Sequence, residues 1–74
     1  MKVTVKLFAS LRDGRFDEAV LEVPESGFVS DAIAAAGLSE GEATVMFRNA
    51  RHVLPEDALV EGDSLSLFPP VGGG

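Results

Sequence analysis

His52 is the one imidazole in the chain, and a general base or metal ligand needs partner side chains that no spacing around it supplies. Ser10, Ser30 and Ser66 stand in no nucleophile motif, and the carboxylates are scattered at loop positions typical of a solvated surface. Cysteine is absent, which removes disulfides, thiolate zinc sites and side-chain persulfides together. Gly72-Gly73-Gly74 follows a strand pattern but precedes no helix, so it is not a phosphate cradle. The domain is therefore expected to hold no metal, no cofactor and no catalytic apparatus of its own. What remains for chemistry is the end of the chain, Leu65-Ser66-Leu67-Phe68-Pro69-Pro70-Val71-Gly72-Gly73-Gly74.

That stretch reads as a strand that turns into a leash. Leu65 and Leu67 alternate with Ser64 and Ser66, the period of a half-buried strand. Pro69 lacks a backbone donor and stops the ladder near Phe68. Pro69-Pro70 favour an extended conformation leading away from the body, and the three glycines after Val71 offer no side chain to pack. Four residues beyond Pro70 reach about 13–14 Å at roughly 3.3–3.6 Å each, far enough to enter another protein.

A rigid Pro-Pro spacer between a strand and a diglycine carboxylate resembles the C-terminus of the small ubiquitin-like sulfur carriers of the MoaD/ThiS family. Phe68-Pro69-Pro70-Val71, one variable residue (here Gly72) and Gly73-Gly74 look most like the MoaD branch, the small subunit of molybdopterin synthase. Leu7-Phe8-Ala9-Ser10-Leu11-Arg12-Asp13 matches how members of that family open, and the resemblance spans essentially the whole chain. It implies that Gly74 is the reactive residue. A MoeB/ThiF-type adenylating enzyme would use ATP and Mg²⁺ to convert the Gly74 carboxylate to an acyl-adenylate, and a sulfur donor enzyme would then displace AMP to leave a thiocarboxylate. In the MoaD branch the charged tail, with Gly72 and Gly73 passing a narrow channel, enters a MoaE-like large synthase subunit and builds the molybdopterin dithiolene. Two other readings stay open: a ThiS-like carrier for thiazole or another sulfur pathway, and a β-grasp interaction module or protein modifier.

Seventy-four residues, 46% hydrophobic and 24% charged, make one small domain. Twelve acidic residues against six basic ones give a net charge of -6, which repels phosphate backbones and argues against nucleic acid as a partner. No apolar run approaches a membrane span and no signal-peptide layout opens the chain, so a cytosolic, non-membrane protein is expected.

The elements that must position the tail follow from patterning. Lys2 to Phe8 alternates, with Val3, Val5 and Leu7 on one face; Leu11 folds back onto the core from the connection after it. Phe16 to Val23 forms an antiparallel partner with Ala19, Leu21 and Val23 inward. Pro24 to Gly27 breaks the strand. A helix over Val29 to Ala36 follows, with Val29, Ile33 and Ala36 on one face, Ser30 or Phe28 at its N-cap and Gly37 beyond its end. Ser39 to Glu42 is a polar loop in which Glu40 and Glu42 are solvated. Thr44 to Arg48 is a strand with Val45 and Phe47 inward, and Asn49-Ala50 predicts a longer or less regular connection than Asn-Gly would. Arg51 to Val53 returns, Leu54 to Asp57 turns over Leu59, and Glu61 to Asp63 leads into the last strand.

This order fits an α+β, ubiquitin-like β-grasp domain over residues 1–70, a mixed four- to five-stranded sheet packed on one main helix, with 71–74 as a flexible tail. The last strand is expected beside the first in the middle of the sheet. Alternation then places Phe68 and Met46 on the open face of the sheet. Phe8 either joins them or rotates inward at its strand end. An exposed apolar patch of that kind marks a binding surface, so Phe68, Pro69, Pro70, Val71, Phe8 and Met46 are the expected partner contacts.

Overall fold

The computed structural model describes residues 1–39 and 41–70. Strands β1 (Lys2–Leu7), β2 (Glu18–Glu22), β3 (Val45–Arg48), β4 (Arg51–Val53) and β5 (Ser64–Phe68) form one sheet in the order β2-β1-β5-β3-β4, with helix α1 (Val29–Ala35) on one side. β1 runs antiparallel to β2 and parallel to β5, and β3 lies antiparallel to both β5 and β4. This is the β-grasp arrangement, with the first and last strands adjacent in the interior as expected. Among the described residues no helix is long and apolar enough to cross a membrane.

Period-2 alternation builds the core. Val3, Val5, Leu7, Leu65 and Leu67 face the helix and are buried, and Val29, Ala32 and Ala36 meet them from α1. Leu11, in a 3₁₀ turn over Ala9–Arg12, is buried too. Leu21 and Ile33 pack on the edge of this core.

Phe28 is the N-cap of α1, and its side chain has no oxygen with which to cap. The loop over 54–57 compensates: Asp57 and Pro55 carbonyls accept the Val29 and Ser30 N–H groups, both at 2.9 Å. The Asp31 carboxylate accepts the Phe28 N–H at 2.7 Å, the reaching-back half of a capping box. At the other end Gly37 takes a left-handed φ of 83°. Its N–H donates to the Ala34 carbonyl and the Leu38 N–H to the Ile33 carbonyl, a Schellman closure that tucks Leu38 into the core.

Three expectations are corrected. In β3 the inward residue is Met46, 3% exposed, while Val45 and Phe47 lie on the open face, partly covered. Cross-strand pairing decides this: Met46 sits opposite Leu67 and Val53, both helix-facing, and residues directly opposite share a face. The Asn49-Ala50 connection is also tighter than expected, a two-residue turn joining the Arg48–Arg51 pair with φ of 51° and 70°. Asn49 is stapled to the last turn, its Oδ1 accepting the Ser64 N–H at 2.9 Å and its Nδ2 donating to Asp63 at 3.0 Å. Ala50 is thereby held in a conformation that disfavours it. Finally, Glu42 is not merely solvated: its carboxylate accepts the Ser39 N–H at 2.6 Å and pairs with Arg15 at 3.3 Å. Glu40 lies outside the described residues.

Candidate functional site: the end of the central strand

The site begins where β5 leaves the sheet. On one side the Phe8 N–H donates to the Leu67 carbonyl at 3.1 Å; on the other the Thr44 N–H donates to the Phe68 carbonyl at 3.0 Å. The strand is held from both flanks up to its last residue. Pro69, half-buried, and exposed Pro70 follow, and neither brings an N–H with which a ladder could continue.

Phe68 projects to the open face as expected, and Phe8 joins it rather than turning inward: the two rings stack with centroids 4.5 Å apart and planes 12° off parallel. Phe47 meets Phe68 edge-on at 6.0 Å, and His52 meets Phe47 edge-on at 5.7 Å. Four aromatic side chains therefore cross the sheet from β1 to β4, centred on the residue before the Pro-Pro pair. Met46, expected in this patch, is buried beneath it on the helix side. Val71, Gly72, Gly73 and Gly74 lie outside the described residues.

Sequence reasoning missed Phe47 and the place of His52. A signal was present. A two-residue turn at Asn49-Ala50 pairs Phe47 with His52, and an imidazole without buried partners belongs on the solvent side, which puts Phe47 there as well. Among the described residues His52 meets the Phe47 ring and pairs with no carboxylate or hydroxyl that would make it a base.

Around the aromatic row the open face is largely polar, apart from Val45 and the exposed Val20 opposite Thr4. Lys2 and Lys6 stand across from Glu22 and Glu18, and Ser64 and Ser66 stand across from Thr4 and Lys6. This arrangement offers a flat, partly apolar surface for another protein, beside the end of a strand that the sheet holds on both flanks.

A mixed sheet grasping one helix, with the final strand central and the chain leaving from its end, defines the class of ubiquitin-like β-grasp proteins. Within it the chain belongs to the ThiS family, whose model matches residues 5–74. Among solved structures it is similar to SAMP1 from Haloferax volcanii, with a TM-score of 0.77 and 26% identity over 100% of both chains. It is likewise similar to a putative molybdopterin converting factor, subunit 1, from Pyrococcus furiosus, with a TM-score of 0.75 and 34% identity over 96% of this chain and 99% of that one. Subunit 1 in a complex of subunits 1 and 2 of molybdopterin-converting factor from Helicobacter pylori shares the fold, with a TM-score of 0.65 and 22% identity over 100% of both chains. The comparison with curated proteins gives no match.

Proposed function

We propose that the chain is a sulfur carrier whose substrate group is its own Gly74 carboxylate, serving molybdopterin synthesis for a molybdenum or tungsten cofactor. The observation behind this reading is the anchoring of β5 on both flanks up to Phe68, immediately before Pro69-Pro70 and the glycines. Such an anchor fixes where a tail starts while leaving its end to be taken up by a partner. Within the ThiS family, the 34% identity to the Pyrococcus furiosus subunit favours the molybdopterin branch.

In this reading the domain supplies recognition and an enzyme of the adenylating type supplies the chemistry. A free carboxylate does not exchange oxygen for sulfur, because oxide is too poor a leaving group. Attack of the Gly74 carboxylate on the α-phosphorus of ATP expels pyrophosphate and leaves AMP as a good one. The terminal sulfur of a donor-enzyme persulfide then displaces AMP to form an acyl disulfide, and a thiolate of a partner enzyme attacks its donor-side sulfur, leaving the thiocarboxylate on Gly74 and a disulfide between the two thiols. The proposed acceptor is a second subunit like the one found with subunit 1 in the Helicobacter pylori complex, docked on the Phe8–Phe68–Phe47 face.

The test is ATP–pyrophosphate exchange with a MoeB/ThiF-type enzyme, full chain against a chain lacking Gly73-Gly74. The shortened terminus stops about 7 Å early, two residues at ~3.3–3.6 Å each, and reaction needs atoms within roughly 3–3.5 Å. Exchange is expected with the full chain and none with the shortened one. Equal rates, or no exchange at full length, sink the proposal. Intact mass of protein from its native cell reads the end state. A thiocarboxylate on Gly74 supports the carrier, whereas glycine-linked lysines in other proteins support a second reading, protein modification, which the similarity to SAMP1, a small archaeal modifier protein, favours.

A further inference from the structure

Away from the open sheet face, α1 and the 54–57 loop border two adjoining hollows. One, of about 430 Å³, is lined chiefly by Ile33, Ala34, Leu38, Ala43 and Pro55. The other, of about 310 Å³, is lined by Phe28, Ser30, Pro55 and Glu56. Ser30 and Pro55 line both, so the hollows run together as one trough along the outer side of the helix. Its walls include the exposed residues Ser30, Ala34 and Pro55. It is open to solvent, a shape that suits a length of chain better than an enclosed small molecule.

Two features, one in the trough and one beside it, are not explained by folding. Phe28 occupies an N-cap, where serine, threonine or aspartate would stabilise the helix, yet it is an aromatic residue 47% exposed. Leu54, next to Pro55, is 50% exposed. A local rule broken without a gain in packing is a mark of a functional surface.

The charge around the trough selects its occupant. Glu56 forms part of the wall, and Asp31 and Asp57 cap the Phe28 and Leu54 N–H groups on either side of it. Among the described residues no lysine or arginine lines either hollow. We infer that this trough is a second protein-docking surface, and that its occupant is a partner segment presenting apolar side chains beside arginine or lysine. Because α1 covers the face of the sheet opposite Phe68, a partner seated here leaves the aromatic row free for another. Two proteins can then hold the domain at once, one by the trough and one by the face beside the tail.

The experiment is a ¹⁵N NMR titration of the full chain with two short synthetic peptides of equal leucine content, one with arginine at its polar positions and one with glutamate. The arginine peptide is expected to shift Phe28, Ser30, Ile33, Ala34 and Leu54, and the glutamate peptide to bind about tenfold more weakly or worse, as like charge at an interface rim does. Phe28→Thr is the control for folding: threonine supplies the missing cap, so the melting temperature holds or rises while the peptide shifts at the trough are lost. Shifts confined to Phe8, Phe47 and Phe68, equal binding of both peptides, or undiminished binding to the Phe28→Thr chain overturns the inference. Shifts at the trough on concentrating the protein alone would assign it to a second copy of the chain and overturn it equally. Adenylation does not enter this measurement, so its outcome is independent of the carrier reading.

Discussion

At the scale of single residues, Leu67 and Phe68 divide the work of the last strand between its two faces. Leu67 is fully buried, opposite Leu7 and Met46, and Leu67→Ala is expected to cost about 2–5 kcal/mol in urea unfolding, as buried leucine truncations do. Phe68 stands on the other face, and Phe68→Glu is expected to abolish binding to an adenylating enzyme or second subunit in a titration. Its fold is expected to survive, with a loss of about 1–3 kcal/mol from two aromatic contacts worth roughly 0.5–1.5 each. Unchanged affinity together with a large loss of stability would place the residue's role in the core instead. Gly27 is constrained more tightly than either. A Cβ there would lie 2.8 Å from the Pro24 carbonyl oxygen, so no side chain fits between the 24–27 turn and α1.

At the scale of elements, the β3–β4 hairpin shows how one strained turn is held by its neighbours. Asn49 and Ala50 both have φ above +50°, but only Asn49 gains from it, through its bonds to Ser64 and to Asp63, which is 5% exposed. Opposite signs are therefore expected for two similar substitutions. Ala50→Gly should raise stability by up to about 1 kcal/mol by relieving the left-handed backbone. Asn49→Gly should lower it by about 1–3 kcal/mol by leaving polar groups unpaired. Chemical denaturation of the two variants side by side checks both. Loss of stability in each would mean that the turn is not strained at Ala50. The hairpin sets the register that pairs Phe47 with His52, and the Asn49–Ser64 bond ties the end of β3 to the start of β5, so Asn49 reaches the site through β3 without touching it.

At the scale of the whole molecule, Arg15 ties three segments together. Its guanidinium donates to the Leu11 and Gly37 carbonyls and to the Glu42 carboxylate, joining the β1–β2 connection, the end of α1 and the loop before β3. The Ser39 N–H bond, and then the Arg15 charge, hold the Glu42 carboxyl below the ordinary carboxylate range. A carboxyl whose folded pKa is depressed stabilises the fold above its unfolded pKa, and that contribution fades as pH falls through the folded value. Melting temperatures taken from neutrality into the acid range should thus fall less steeply for Glu42→Gln than for the parent. Equal slopes would show that the pair contributes nothing to acid stability.

The division of labour between sequence and tertiary structure follows from where the information lies. Alternation in Lys2 to Leu7 and Ser64 to Phe68, and the stop at Pro69, were legible because each strand has its own polar–apolar contrast, which fixes its buried face locally. The helix end at Gly37 was legible because a left-handed C′ position selects glycine. Thr44 to Arg48 has no such contrast: Val45, Met46 and Phe47 are all apolar, so either face could be buried. Pairing with Leu67 on β5 and Val53 on β4 chose Met46. That choice moved Phe47 to the open face and completed the aromatic row with Phe8, Phe68 and His52. The Phe28 trough was likewise beyond a linear reading, since its two walls, α1 and the 54–57 loop, are separated in the chain and meet through the Val29 and Ser30 N–H bonds. The chemistry proposed for Gly74 rests on residue types; the two surfaces that would present it to other proteins are made by contacts between strands and loops distant in sequence.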